Sequence, residues 1–473
     1  MSDVASTTPG ELTTTQRRVA GYATYAFYVL FAINFLNYLD RFILIGAANK
    51  VARELNFGVD GIGTLSSAFT IFTILAAIPF GIWADRTRRK TVIAVSVAIW
   101  SLATGFTALA GNFLVLLISR MVLGIGEGGY SPPSNALLAD YYSRPKRAKI
   151  LSRLSTALFI GLMAGIIIGG VAGGLSAPGA WRWAFVFTGI PGLALALLAW
   201  RMHEPRRNQA DEESGDVLLE EVGTRAVTDV VALPKAVLPQ LGLLLRIKTV
   251  LGLMAMQVFA YAVLSASITY LPTLFQQKDA FGMTSAQAGL FTGFGVAIAA
   301  IPGAILGGWL SDTLNRRYPG ARMLVCGIGF LVGAPSYVLS VVVGIRTDNV
   351  LLYSLFFFST TLLLNLYLGP GAACLQDVVP SALRASAAAI SLFVSSLLGT
   401  AFAPLLVGAL SNALDPTHGL HFAHNVAGTD ISRALLYTCP AALAIAGVIG
   451  IVGSRWVKDD MLAAQRAEQQ AAS

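Results

Sequence analysis

Apolar residues fill this chain in twelve long blocks parted by short polar breaks. The blocks lie near 20–48, 60–84, 90–111, 113–141, 147–175, 182–201, 247–277, 285–311, 321–345, 349–378, 382–413 and 432–456. A helix rising ~1.5 Å per residue crosses the hydrocarbon of a bilayer with roughly 20 mostly apolar residues. Each block reaches that length, so each predicts a spanning α-helix. A transmembrane barrel would need strands of ~10 residues that alternate apolar with polar, and no such alternation runs along the chain. One polar break is longer than the rest: 202–245 carries NQADEESGD and LEEVGTR and separates two sets of six spans. The expected fold is an all-α membrane protein with 12 transmembrane helices in two six-helix halves, 20–201 and 246–456, joined by that linker and flanked by tails at 1–19 and 457–473.

Composition and charge orient this bundle. Only 12% of the 473 residues are charged and 55% are hydrophobic, where a soluble domain carries about 25% charge. The first 20 residues are polar and hold no short apolar core or cleavage site, so no removable signal peptide is expected. Twelve spans put both termini on one side. If that side is the cytoplasm, the inside segments hold 25 of the 33 lysines and arginines and the outside segments 6, with Arg41 and Arg120 left within spans. Basic residues favour cytoplasmic loops, which predicts cytoplasmic termini and linker in a cell inner (plasma) membrane. The net charge of +8 is then a consequence of topology and implies no nucleic-acid partner; the lipid bilayer is the expected surroundings. Cys326, Cys374 and Cys439 fall in or beside apolar blocks, without disulfide or metal spacing. His203 lies in the linker, and the run HGLHFAH, with His418, His421 and His424, reads as a solvated outer loop, so no metal site is expected.

The halves repeat. GIWADRTRRK (81–90) follows the second block and GWLSDTLNRR (308–317) follows the eighth, so that Gly81 and Gly308, Asp85 and Asp312, Arg89 and Arg316, and Lys90 and Arg317 match at an offset of 227. The glycine permits close helix approach, and the aspartate ends a helix beside the basic residues of a short loop. Gly81, Asp85, Arg86, Arg89, Gly308, Asp312 and Arg316 are therefore the candidate cytoplasmic gate. This pattern resembles the cytoplasmic signature of the major facilitator superfamily, departing from it at Arg88, where a glycine is usual. The resemblance implies a substrate site near the membrane midplane, between the halves.

Four ionisable side chains other than tyrosine and cysteine lie well inside the spans: Asp40, Arg41, Arg120 and Glu127. Each costs ~3 kcal/mol or more at a helix centre, so each should pair or face water, and function is the default reading. Asn34, Asn37 and Arg41 share one helix face; Arg120, Gly124, Glu127, Gly128 and Ser131 share another. With the two spans antiparallel, Arg41 and Arg120 fall at similar depth, ~10 Å below the outer surface. Asp40 is expected to meet Arg120, and Glu127 to lie about two turns deeper. A carboxyl whose arginine can leave on conformational change binds and releases a proton, so a proton is the candidate coupling ion. The second half carries almost no charge within its spans. It offers Gln257, Tyr261, Ser265 and Tyr270, then Asn365 and Tyr367, and the run Phe356–Phe358. A charged half facing an apolar, aromatic half suits a small amphipathic or anionic substrate.

NFLNYLDRFILIG, SRMVLGIGEGGYSPPSNALLADYY and WRWAFVFTGIPGLALALL with the following EPRR, together covering about residues 30–207, resemble the Spinster-like branch of the major facilitator superfamily. That resemblance implies transport of a lysophospholipid or a sphingoid-type lipid by alternating access, with Asp40, Arg41, Arg120 and Glu127 in the family's charged positions and proton coupling suspected. Gly129–Pro133 is richer in proline than the family pattern, which bears on the inner bend of the fourth helix. Organic-anion/proton symporters of the same superfamily share the Asp-Arg and Arg-x6-Glu spacing and are the alternative. No nucleophile, metal or cofactor motif lies within the spans, so an enzyme is not expected. Two unequal halves building one asymmetric site argue against a channel and for a functional monomer.

Overall fold

The computed structural model describes residues 14–207, 209–210, 242, 244–380, 383–417 and 419–472. Most of the predicted linker, much of the first tail and His418 lie outside these residues. Among the described residues, twelve helices are long and apolar enough to cross a membrane. They are α1 (Gly21–Glu54), α2 (Val59–Arg86), α3 (Arg89–Thr107), α4 (Phe113–Tyr141), α5 (Lys149–Gly174), α6 (Arg182–Trp200), α7 (Lys248–Gln276), α8 (Ser285–Asn315), α9 (Ala321–Arg346), α10 (Val350–Val378), α11 (Ser386–Leu414) and α12 (Gly428–Gly453). The first helix runs six residues past its predicted end, because Lys50, Arg53 and Glu54 are used in contacts at the bundle's end. A further helix, α13 (Val457–Ala472), occupies what the sequence presents as a tail. Its buried Val457 and Ala464 dock it on the second half, and Asp460 accepts from the Thr249 amide (2.9 Å) at the start of α7.

The repeat extends beyond the loop motif. Asn112 accepts from the Val115 amide (2.9 Å) to start α4, and Asn349 accepts from the Leu351 (3.0 Å) and Leu352 (3.1 Å) amides to start α10. Both helices then break at the same place. Phe113–Gly128 is followed by Ser131–Tyr141, and Val350–Asn365 by Leu368–Val378, with 16 and 11 residues in each case. The turns tighten at the break: the Tyr130 amide donates to Glu127 O (3.2 Å) and the Tyr367 amide to Leu364 O (3.4 Å). Prolines follow at Pro132, Pro133 and Pro370, where a missing N–H is tolerated early in a helix. The proline-rich stretch thus starts a second half-helix that the other repeat also has.

Within the first half α1 packs on α5, α3 on α6 and α2 on α4; in the second, α9 packs on α10 and α12, and α7 on α12. The exposed row Trp183, Phe187, Ile190, Leu197 and Trp200 on α6 faces outward, as an acyl-facing stripe with tryptophan at each end should. The halves meet through α5 against α8 and α2 against α11, at the end away from the termini, called here the far face. There α5 and α8 touch backbone to backbone. A Cβ on Gly170 would lie 2.6 Å from Ser285 O, and one on Gly289 would lie 2.9 Å from Ile166 O. Tyr270 of α7 donates to Pro404 O (2.7 Å), with Val59 O of α2 at 3.4 Å. Asn49 of α1 bonds Gln276 of α7 (3.3 Å) and Asn425 (3.4 Å), and Arg53 also bonds Asn425.

The terminal face is different. Ser131–Tyr141, Leu368–Val378 and Arg384–Ser395 pack chiefly within their own halves. The molecule is therefore closed at the far face and open toward the termini.

Candidate substrate and coupling site

Between the halves lies a cavity of about 430 Å³. The first half contributes Tyr38, Arg41, Phe69, Thr70, Thr73 and Arg120; the second contributes Tyr261, Ser265, Thr269, Asn365, Ser396 and Thr400. Leu158, Leu162, Leu264, Ile268, Val296 and Leu392 supply apolar wall. On α11 the last turns before the closure are a π-helical segment, Ser396–Ala401, which turns Ser396 and Thr400 toward the cavity; Ser265 donates to the Thr400 carbonyl (2.8 Å). Such bulges recur at functional sites.

Glycines set how close α4 comes to this cavity. A Cβ on Gly124 would meet Phe69 O at 2.4 Å and one on Gly128 would meet Thr73 O at 2.3 Å. Without side chains there, α4 lies on the α2 backbone and Arg120 reaches the cavity wall. Arg120 is buried, donates to Thr107 (3.2 Å) and lies 5.3 Å from the Phe185 ring. Arg41 is only partly buried. It lies 4.9 Å from the Phe69 ring and 5.7 Å from the Phe42 ring, and no carboxylate pairs with it among the described residues.

The two carboxyls stand behind this wall. Asp40 is fully buried, but it makes no ion pair with Arg120. It accepts from Thr104 of α3 (3.2 Å), with the Thr188 hydroxyl of α6 beside it. The expected direct Asp40–Arg120 contact is corrected: each group takes a threonine of α3 instead, Thr104 for the acid and Thr107 for the base. Glu127 is buried near Arg41 and Asn37. Among the described residues, one oxygen of each carboxyl, the Asn37 amide nitrogen and the Arg120 Nε find no hydrogen-bond partner. These groups are held in apolar surroundings with unspent hydrogen-bonding capacity, which the low local dielectric makes costly.

Other candidate residues fall elsewhere. Asn34 donates to Leu154 O (3.0 Å), tying α1 to α5. Ser131 is exposed at the start of the lower half-helix of α4, because the break at Gly129 interrupts the continuous face read from the sequence. Gln257 accepts from Ser391 (2.6 Å), joining α7 to α11. Tyr261 lines the cavity, whereas Tyr367 is buried with its ring 5.7 Å from Phe330. Phe357 and Phe358 line a separate space with Phe291 and Phe294, so the second half meets the main cavity with hydroxyls, Asn365 and one tyrosine rather than with an aromatic wall.

The candidate gate residues gather at the open terminal face. Asp85, Arg86, Asp312 and Arg316 are exposed, and a Cβ on Gly81 or Gly308 would meet nothing within 4 Å. The close approach expected at these glycines is thus not made in this conformation. Each half nevertheless has an internal ion pair at this face: Arg89 with Asp140, and Arg322 with Asp377 and Asp312, the last at 3.1 Å. The EPRR run has a structural use that its spacing alone did not reveal. Glu204 accepts from the Arg89 (2.8 Å) and Lys90 (2.9 Å) amides at the start of α3, and Arg207 donates to Asp85 O (2.5 Å) at the end of α2.

Comparison with known proteins agrees with this arrangement. The Major Facilitator Superfamily model matches residues 30–404. A human protein, spinster homolog 1, is 30% identical over 391 residues, covering 82% of this chain and 72% of its own. The chain belongs to the major facilitator superfamily, in its Spinster family. Protein spinster homolog 1 of Xenopus laevis is 28% identical, over 90% of this chain and 78% of its own. The fold is shared with a bacterial homolog to the human lysosomal transporter Spinster, solved in an inward-facing and unoccupied conformation; it is 23% identical, the match covers 93% of this chain and 98% of that one, and the TM-score is 0.78. This Spinster protein is accordingly a multi-pass membrane transporter and not an enzyme.

Proposed function

We propose that this Spinster transporter carries an amphipathic lipid with an anionic head group, of the lysophospholipid or sphingoid type, by alternating access. The observation that carries the reading is Arg41: a guanidinium on the wall of a largely apolar cavity, stacked near Phe69 and, among the described residues, without a carboxylate in ion-pair contact. A planar, permanently charged fork of donors suits a phosphate, and the apolar wall suits an acyl chain. Arg120 adds positive charge from behind. The hydroxyls of Ser265, Thr269, Ser396 and Thr400 supply donors across the cavity.

Protons are linked to this cycle through Glu127 and Asp40. Ionised, Glu127 draws the Arg41 guanidinium toward α4; protonated, it frees Arg41 to hold the head group. With the termini in the cytoplasm of an inner (plasma) membrane, the present conformation opens inward. The gate residues around Asp85 and Asp312 then meet when the inner side closes. No resident cofactor is required, and one chain suffices.

The test is counterflow in proteoliposomes with a labelled lysophospholipid, a labelled sphingoid phosphate and a labelled organic carboxylate, each at two pH values. Exchange of one of the lipids, changed by pH, supports the reading. Exchange of the carboxylate alone would move the assignment to the organic-anion symporters.

A further inference from the structure

The histidine-bearing loop between α11 and α12 takes no part in the cavity, yet it reaches across the far face. Asp415 ends α11 and organises the loop, accepting from the Thr417 amide (2.7 Å), the Thr417 hydroxyl (2.5 Å) and the Gly419 amide (2.8 Å). His421 then inserts one ring nitrogen between two carboxylates: Nδ1 is 3.2 Å from Asp415 Oδ1 and 2.8 Å from Asp430 Oδ2 at the start of α12. The acids are buried, with 5% and 4% of their side-chain surface exposed, while His421 keeps 31%. A neutral imidazole has one proton to give and no charge to set against two buried carboxylates; an imidazolium sets one positive charge between them. The charged groups that act on His421 are Asp430, Asp415 and, more distantly, Asp279 after α7. All three are acids.

The turn built on His421 is the one that grips the other half. The His421 carbonyl accepts from the Val426 amide (2.8 Å), closing a turn in which Asn425 takes a left-handed φ of 64°. Held so, Asn425 donates to Gln276 O (2.9 Å) and offers its own oxygen to Asn49 (3.4 Å) and Arg53 of the first half. We propose that His421 is a proton-operated latch: protonated, it ties Asp415 to Asp430 and holds Asn425 against Asn49 and Arg53, so that acid on the far face keeps that face shut. The hydrogen bond to Asp430, with the other two acids adding to it, holds His421 above the usual histidine range. The sign follows from linkage. A group whose pKa is raised in the latched state stabilises that state fully below its free value, near 6.5, and loses the effect as pH rises through the raised value.

The test uses the full chain in nanodiscs, with spin labels at the exposed Ser176 and Thr347, one on each half at the far face. The closed fraction should rise from pH 8 to pH 5.5, with about tenfold in the closed-to-open ratio for each pH unit between the latched and free His421 titrations. His421→Gln should remove that rise. If this variant does not fold, Asn425→Ala, which leaves His421 and both acids in place, should remove it instead. A pH response unchanged by either folded variant overturns the latch, as would a response that disappears with a chelator, since the cluster would then be acting on a metal ion.

Discussion

Gly170→Ala tests the far-face closure with almost nothing else disturbed. The three atoms nearest a Cβ at this position all belong to α8: Ser285 O at 2.6 Å, Gly289 Cα at 3.2 Å and Ser285 C at 3.4 Å. A carbon and a carbonyl oxygen sit comfortably at ~3.3–3.6 Å, so α5 and α8 must part by roughly 0.7–1 Å to admit one methyl group. Overpacking of that kind costs about 1–3 kcal/mol. The strain exists only while the far face is closed, since it is the two halves that collide. The variant should therefore shift the closed-to-open ratio about 5–150-fold toward far-face opening, with little loss of folding. The Ser176–Thr347 label pair reads it directly, as growth of a longer distance. Gly174→Ala is the control, because its Cβ would meet nothing closer than 3.8 Å. If Gly170→Ala left the distance distribution of the wild type unchanged, the backbone contact of α5 and α8 would not be the closure described here.

Other outcomes follow from the same geometry. Gly81→Leu should act oppositely, leaving the present conformation intact but blocking closure at the terminal face, seen as a lost short distance between terminal-face labels and loss of counterflow. Glu127→Gln should leave folding intact and flatten the pH dependence of substrate exchange; a Gln variant with the wild-type pH profile would remove Glu127 from coupling. Glu204→Ala deprives two amides at the start of α3 of their acceptor and should cost about 1 kcal/mol, visible as a lower melting midpoint in detergent.

The fold was legible because membrane spans are written in runs of roughly 20 apolar residues, and the halves because their loop motifs recur at one offset. The placement of Arg41 and Arg120 was also legible, since charges inside spans are rare enough to single themselves out. Their partners were not. Thr104, Thr107 and Thr188 carry no charge and sit in apolar helices like any packing threonine; what joins them to Asp40 and Arg120 is the rotation of α3 and α6 about their own axes, which a tally of depth does not supply. Rotation also decides Tyr367, which was expected in the cavity and instead lies with its ring 5.7 Å from Phe330. The break in α4 was hidden because its lower piece stays apolar enough to continue the block. The far-face closure left one trace: Asn49 and Gln276, which bond each other (3.3 Å) across the pseudo-twofold axis, lie 227 residues apart, the offset of the loop motif.

Arg41 is proposed to hold an anionic head group inside the cavity. The most direct test is the affinity of Arg41→Lys, compared with wild type, for two lipids that share a tail, one phosphorylated and one neutral. Lysine keeps the charge and loses the paired donors. A loss of about tenfold or more is expected for the phosphorylated lipid, the equivalent of ~1.4 kcal/mol, with little change for the neutral one. Equal loss for both lipids, or no loss for either, would contradict it.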